Sequence, residues 1–361
     1  VKNDRSDIIE NYIGSFYKAD EYPCLFRQIK AWRKTKPLKG MKVLDASPLF
    51  RNTLTKYIPL LAGGADLTVG VSDLIPRDPH IMDILSTWEI PVDNNSFSGG
   101  DYDLILDCAG IHAGKPVRFG YSELTRSGAD RYSISKKPVF MTDDSMAKLL
   151  EDTLGTGDGF IRAMNHLGYT NFNNKSIVVF GCGKVGRGIS IRLYKAGARV
   201  TAVDDLTVHH NVYPFSIEDY RNIEKVSRIV SNAWCVVTAT GVKHALAKNY
   251  TAELFIDSPA LLVNMGVENE FGPGVGPDRV LNRNAPLNFI LDEPTHLRYI
   301  DATLALHNEG AAWILRNECP PGLFSPPCEL DMAMIRQTRE MGVIGQELDY
   351  LTELGILRDN I

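Results

Sequence analysis

IVVFGCGKVGRG, residues 177–188, decides how this sequence folds. A β-branched apolar run breaks into Gly181, Gly183 and Gly186, spaced G-x-G-x-x-G, and continues as a helical pattern. A strand that turns through glycines into a helix is the local plan of a dinucleotide-binding unit. Gly181 permits the tight turn, Gly183 lets the backbone approach a pyrophosphate, and Gly186 lets helix and strand pack closely. The freed amides at the helix start, Lys184 and Val185 among them, attract phosphate. Asp204 ends the next apolar run, where a carboxylate accepts from a ribose 2′-hydroxyl and repels a 2′-phosphate, so NAD is favoured over NADP. Lys184 and Arg187 either bind phosphate through their side chains or are solvated charges, and Asp205 reads as a strand-end turn residue.

Outward from that unit, KSIVVFG, ARVTAVDD, CVVTATG and ALLVNMG are apolar strands ending in Gly, Asp or Thr, the first three separated by helical patterns. That is a doubly wound parallel series, in which ligands collect at the carboxyl ends of strands. A second α/β series precedes it. Residues 1–40 read as helical, and MKVLDAS (41–47) is a short buried strand. A helix follows over about 52–62, then strands in GGADLTVGVS, YDLILDCAG (102–110) and KPVFMTDD, and SMAKLLEDTLG begins another helix. EFGPGVGPDRVLNRNAP reads as a loop excursion, and the chain returns to helix from about 303. The expected organisation is a discontinuous α/β substrate domain, residues 1–154 and 307–361, with a Rossmann-type NAD domain, 155–306, inserted in it. Two chain crossings between them would form a hinge.

The 361 residues suffice for two domains with real cores, and a hydrophobic content of 44% is ordinary for a globular protein. A net charge of -5 gives no electrostatic reason to expect nucleic acid or an anionic membrane as partner. No apolar run approaches the roughly 18 residues that span a bilayer. The opening VKNDRSDIIENYIGSFYKADEYP lacks the apolar core of a signal peptide. The six cysteines show no CxxC spacing, so neither a disulfide framework nor a zinc or other metal site is expected, and a reducing cytoplasm fits.

GYSELTRSGADRY (120–132), DDSMAKLLEDTLGTGDGF (143–160), the glycine unit, VVTATG (236–241), LVNMG (262–266) and LHNEGA (306–311) occur in that order. The order resembles the S-adenosyl-L-homocysteine hydrolase family over roughly residues 38–315, strongly over 120–205. The resemblance implies tightly bound NAD that is recycled, not consumed. It oxidises a nucleoside 3′-hydroxyl transiently, the 4′ C–H becomes acidic, a 5′ substituent is eliminated, and the ketone is reduced back. Lys148 and Asp152, four apart and so on one helix face, match the family's Lys/Asp pair, in which the lysine takes the hydroxyl proton. A lysine beside a cationic nicotinamide loses affinity for its proton, as a base requires. Glu123 and Thr125, with Ser127, fall in the family's ribose- and cofactor-contacting segment. Thr156 lies where the family faces the nicotinamide, and Thr238, Thr240, Gly241 and Asn264 match its cofactor-contacting strand ends. For the last group ordinary turn chemistry is the alternative.

Departures from the family are equally informative. Aligned through LKGMKVLDAS, Pro48, Phe50 and Asn52 replace a histidine, a threonine and an adenine-contacting glutamate, leaving Asn52 as the substrate contact at that place. Asp107 is kept, but Cys108 replaces an aspartate implicated in elimination. Leu124 replaces a ribose glutamate, and Val267 a histidine. His307 matches a late substrate-facing histidine only with a one-residue gap, and a core or surface histidine is the alternative. Asp107, Cys108, His112 and Asp301 are the residues that could supply a replacement acid or base, against a purely structural role for each. The sequence also stops before the family's Lys- and Tyr-bearing tail. A site that loses several polar partners loses its former substrate, so the expectation is a redox-neutral enzyme on a different adenosine-like nucleoside. It would act as a dehydratase or lyase, a C4′ epimerase or a hydrolase of another thioether, and as a homodimer or homotetramer. Two alternatives stay open. One is an NAD-dependent dehydrogenase with net hydride transfer, for which His296, Arg298, Asp301, His307 and Glu309 supply the composition. The other is a non-catalytic NAD- or nucleoside-binding homologue. His209 and His210 read as loop residues near the adenine of NAD.

Overall fold

Two fully parallel sheets organise the chain, one in each of two units. The computed structural model describes residues 4–94, 101–209 and 212–357. Val1–Leu149 and Leu297–Leu348 form the first unit, and Leu150–His296 and Asp349–Asn360 the second.

The first sheet uses β1 (Lys42–Asp45), β2 (Asp66–Gly70), β3 (Val92–Asp93), β4 (Tyr102–Asp107), β5 (Val117–Glu123), β6 (Pro138–Met141) and a last edge strand, Gly322–Phe324. Its order is edge strand, β6, β5, β4, β1, β2, β3. The order reverses between β1 and β4, which pair Val43 with Leu104 and Leu44 with Ile105. Connections leave to opposite faces there, so the carboxyl ends of β1 and β4 are splayed open, the place where doubly wound sheets take ligands. Leu44, Ile105, Val117, Tyr121, Tyr132 and Val139 fill one face of this sheet. The helix Leu297–Arg316 brings a long buried face, Leu304 to Ala312, to the same unit.

The second sheet uses β7 (Ser176–Phe180), β8 (Arg199–Asp204), β9 (Ser216–Asp219), β10 (Cys235–Thr238), β11 (Leu261–Asn264) and β12 (Val280–Leu281). Its order, β12, β11, β10, β7, β8, β9, reverses between β7 and β10. Val178, Phe180, Val203, Val236 and Leu262 pack with Phe255 and Phe271 into its core. β-branched runs buried on both faces are what parallel strands require.

The α/β, doubly wound reading of the sequence holds in both sheets. Three local readings are corrected. The Pro/Gly-rich stretch taken as a loop contains β12, because Val280 and Leu281 reach Leu262 and Val263 in parallel register. Val117–Glu123, quoted only as part of a motif, is the strand between β4 and β6. The C-terminal helical pattern is two helices, Cys328–Met341 and Gly345–Glu353, broken at Gly342. A Cβ on that glycine would press on the Thr338 carbonyl.

Candidate functional site

In the second unit the glycine turn has the geometry its sequence implies. Gly181 has φ +92°, and a Cβ there would collide with the Ala239 backbone at the head of β10. A Cβ on Gly186 would collide with the Gly181 carbonyl, so strand and helix touch where side chains are absent. Gly183 differs: a Cβ there would meet nothing within 4 Å. Its backbone borders open space, as a pyrophosphate needs. The helix Lys184–Lys195 starts at Gly183 with no side-chain cap hydrogen bond, its N-terminal end directed at the glycine turn. These residues fit a dinucleotide.

Asp204 is half-buried at the tip of β8. Its Oδ2 accepts the Cys182 amide at 2.6 Å and lies 3.1 Å from His209 Nε2, while Oδ1 accepts the Asp205 amide at 2.8 Å. The carboxylate is thus aimed by the glycine turn it serves. Asp205 is a turn residue bonded to Thr207 and Arg221. His210 lies outside the described residues. At the heads of β10 and β11, Thr238 donates to Asn264 Oδ1 at 2.9 Å, and Asn264 Nδ2 donates to the carbonyls of Gly266, Glu268 and Asn284. Both side chains are buried and serve the loop. The Thr240 and Gly241 amides donate to the Glu270 carboxylate at 2.7 Å each, which shapes the turn facing Gly181. Burial raises the Glu270 pKa.

The first unit gathers buried polar groups at the carboxyl edge of its sheet. Asp45, at the end of β1, pairs with Lys56 of the Thr53–Ala62 helix, and both are fully buried. Asp107, at the end of β4, accepts from the Cys108 and His112 amides and, at 2.6 Å, from the Tyr132 hydroxyl. Burial raises its pKa to about 6. Glu123, opposite it on β5, accepts from the Ala109, Gly110 and Thr125 amides and the Thr125 hydroxyl. Burial, then the neighbouring Asp107, raise it to about 7. These two carboxylates shape the 108–112 and 123–127 turns. Cys108 is buried against Ile75 and Leu124. Thr125 half-covers the same turn and contacts the exposed Ser127. Asn52 is buried at the start of the Thr53–Ala62 helix. His112 is buried and its pKa lowered to about 4 by desolvation and then Lys115. Asp301 is buried elsewhere in the unit, where it accepts the Cys24 and Leu25 amides.

His307, from the Leu297–Arg316 helix, lies fully buried with Nε2 2.6 Å from the Ser122 carbonyl on β5. Desolvation holds its pKa well below the ordinary value, and Lys56 and Lys148 both push it further down. Lys148 is buried in the helix Met146–Leu150, its amide donating to Ser145 Oγ at 3.0 Å. That helix continues as a π-type segment, Glu151–Gly155, which holds Asp152, and returns to α over Thr156–His166. π segments are rare and recur at functional sites. Here it packs closely on the helix Lys184–Lys195, since the Thr153 carbonyl sits where a Cβ on Gly188 would be.

Three contributors escaped the sequence reading. Lys56, a lone charge inside the apolar TLTKYIPLLA, carried a signal. Glu270 and Asp331 did not, because only the fold brings them to Thr240 and Met146. Among the described residues no cluster of metal-ligating side chains occurs, and no helix is long and apolar enough to cross a membrane. All six cysteines are free.

No family model matches the chain. It is 24% identical over 316 residues to the adenosylhomocysteinase of Thermoplasma acidophilum, covering 77% of this chain and 73% of that protein. Adenosylhomocysteinase of Pyrobaculum aerophilum is 25% identical, with 90% of this chain and 75% of that one covered. S-inosyl-L-homocysteine hydrolase of Methanosarcina mazei is 26% identical, with 88% and 89% covered. The chain spans 64% of the length of the Sulfurisphaera tokodaii adenosylhomocysteinase. Among solved structures, dipicolinate synthase from Bacillus halodurans aligns through one of its polypeptides with a TM-score of 0.48 at 12% identity, over 76% of this chain and 99% of that one.

Proposed function

We propose, for a chain that is a divergent relative of the adenosylhomocysteinases, that it acts on a nucleoside without net oxidation. A sugar 3′-hydroxyl is oxidised, C4′ is deprotonated, a 5′ substituent is eliminated, and the ketone is reduced back. The observation that supports this most is the buried polar set of the first unit: the Asp45–Lys56 pair, Asp107, Glu123, Lys148 and His307 are all buried, and His307 Nε2 is held 2.6 Å from the Ser122 carbonyl on β5. So many polar groups inside a fold need a reason, and a polyhydroxylated ligand is one.

NAD, when bound, supplies a reversible hydride acceptor for the sugar carbon. In this reading Gly181, Gly183 and Gly186 give the backbone room for its pyrophosphate, the Lys184 and Val185 amides bind the phosphates, and Asp204 accepts from the adenosine ribose. Thr156, Thr240 and Gly241 border the remainder of that site. The Lys148 amine takes the 3′-hydroxyl proton and later returns it, and Asp152 is its carboxylate partner. With a ketone at C3′, the C4′ carbanion is stabilised as an enolate, so a modest base suffices. Asp107 and Glu123 hold the turns on either side of this edge, which fixes where that base and the 5′ substituent sit. Cys108 and Leu124 line the edge with apolar surface where the family carries carboxylates. That favours a substrate other than adenosylhomocysteine, and water loss without readdition.

A second reading, net dehydrogenation, rests on the His296–Asp158 pair at 3.3 Å, a His–carboxylate arrangement with Arg162 also on Asp158 at 2.7 Å. One experiment separates the two. Purified protein is loaded with NAD, mixed with adenosine and inosine derivatives, and followed at the NADH band and by product mass. A transient band with a product isobaric with or lighter than the substrate by water supports the first reading. Stoichiometric NADH release supports the second. Lys148→Ala is expected to retain NAD and to abolish solvent exchange of the 4′ hydrogen; unchanged exchange removes the role given to Lys148.

A further inference from the structure

Asp204, at the tip of β8, has a histidine beside it. Its Oδ1 accepts the Asp205 amide at 2.8 Å and its Oδ2 the Cys182 amide at 2.6 Å. A carboxylate offers about four acceptor positions, two on each oxygen, so these amides leave room on both. His209 stands at the second oxygen, with Nε2 3.1 Å from Asp204 Oδ2. The approach has ion-pair distance but not hydrogen-bond alignment: Nε2 is buried and has no hydrogen-bond partner among the described residues. A buried polar atom in that state calls for a partner, and the nearest oxygen to it named here belongs to Asp204.

His209 is no loosely held loop residue. Its side chain is only 11% exposed. Its ring meets Tyr213 edge-on at 6.3 Å, and Tyr213 stacks on the buried Phe215 at 5.1 Å. The turn that delivers it is fixed by the second acid of the run Val203-Asp204-Asp205. Asp205 accepts the Thr207 amide at 2.9 Å and holds Arg221, which also reaches Asp219 on β9 at 3.0 Å. The two acids divide the work. Asp205 anchors the loop, while Asp204 faces the glycine turn with His209 across from it.

We infer that Asp204 and His209 form a two-sided clamp for the adenosine ribose of the dinucleotide, whose 2′-hydroxyl donates to Asp204 and accepts from His209 Nε2. That the ligand is a dinucleotide rests on the reading above. A hydroxyl both donates and accepts, whereas a carboxylate only accepts. Asp204 alone leaves the hydroxyl oxygen without a donor, and the imidazole N–H supplies one. The carboxylate beside Nε2 draws the ring proton to that nitrogen. A 2′-phosphate has no proton for Asp204, and a 2′-deoxy sugar fills neither role. His209 is thus a specificity-determining residue for the free hydroxyl.

The test is calorimetric titration of the full-length protein, freed of bound nucleotide, with NAD and with NAD lacking only the 2′-hydroxyl of its adenosine. His209→Phe keeps a ring against Tyr213 and removes the N–H; His209→Ala removes both. Each variant is expected to bind NAD about fivefold more weakly, the net worth of one hydrogen bond, and to bind the deoxy dinucleotide as wild type does. The penalty for deleting the hydroxyl then shrinks in the variants, the mark of direct coupling in a double-mutant cycle. Thermal melts check that the variants are folded, and His209→Phe decides should His209→Ala unfold early. Equal weakening of both dinucleotides, or weakening of neither, assigns His209 to packing and overturns the clamp while the dinucleotide reading stands. Wild type that binds neither dinucleotide overturns that reading, and the clamp with it.

Discussion

Asp331 caps the helix that carries Lys148: its Oδ2 accepts the Met146 amide at 2.6 Å and its Oδ1 the Ala147 amide at 3.1 Å. Thr303 completes the anchor by donating to the Ala147 carbonyl at 3.1 Å. Lys148 is third in that helix, so its place depends on a residue far along the chain.

Asp331→Ala should therefore lower kcat several-fold while leaving NAD affinity unchanged, and should cost about 1 kcal/mol of stability, the usual worth of an N-cap. Asp331→Asn, which can still accept, should recover most of both. Steady-state kinetics with denaturant unfolding checks this. Equal kcat in all three proteins would separate the cap from the chemistry.

Gly183 and Gly186 should respond oppositely to alanine. Gly183→Ala adds a methyl to open space, so unfolding should shift by less than about 0.5 kcal/mol. NAD affinity should nevertheless fall at least tenfold if, as proposed, the pyrophosphate lies in that space. Gly186→Ala forces the helix off the Gly181 carbonyl and should destabilise by about 1–3 kcal/mol, as overpacking does. Calorimetric titration and thermal melts on both variants distinguish a ligand role from a packing role.

Asp204→Ala should weaken NAD binding by about 1.5–3 kcal/mol, the range for hydrogen bonds to a charged group, and should narrow the preference for NAD over NADP. The Cys182 amide and His209 lose their partner in the same variant. Asp204→Asn therefore serves as the milder comparison, and titration against both dinucleotides gives the ratio.

Asp301 predicts a pH trend in stability. Burial raises its pKa from 3.8 to about 7. The folded state then holds the proton more tightly than the unfolded chain, so stability is greatest below the unfolded pKa and declines as pH rises through about 7. One such proton gives a slope of up to about 1.4 kcal/mol per pH unit. Asp301→Asn should flatten the decline between pH 4.5 and 7. Urea unfolding across that range measures it, and an unaltered slope would assign the trend to Asp107 and Glu123 instead.

The second sheet was legible because its apolar runs are long and end in glycine or acid, and the nucleotide turn because each of its glycines answers a separate steric demand. The first sheet was less so. Val117–Glu123 contains Arg118, Gly120 and Ser122, and a three-residue edge strand at Gly322–Phe324 carries almost no pattern. Lys148, Asp204 and His307 could be named from the sequence as single candidates, but the residues that hold them in place could not. Asp331 is 185 positions from Met146, and Asp45 meets Lys56 only after a strand and a helix have packed. The π segment packs against Gly188 through Thr153, a contact that no local propensity encodes. Sequence patterns report what each element does by itself, while capping and ion pairing belong to pairs of elements.

Both sheets follow one strand order, each reversing at its own first strand. The buried polar side chains of the first unit named above, from Asp45 to Glu123, stand at strand tips, in the turns that follow them or on a helix, outside the apolar ladder that holds the strands in register. Drift at one rim leaves the other rim's architecture intact. In the reading proposed above, such an arrangement would let the polar set of the first unit change while the glycine turn of the second is kept.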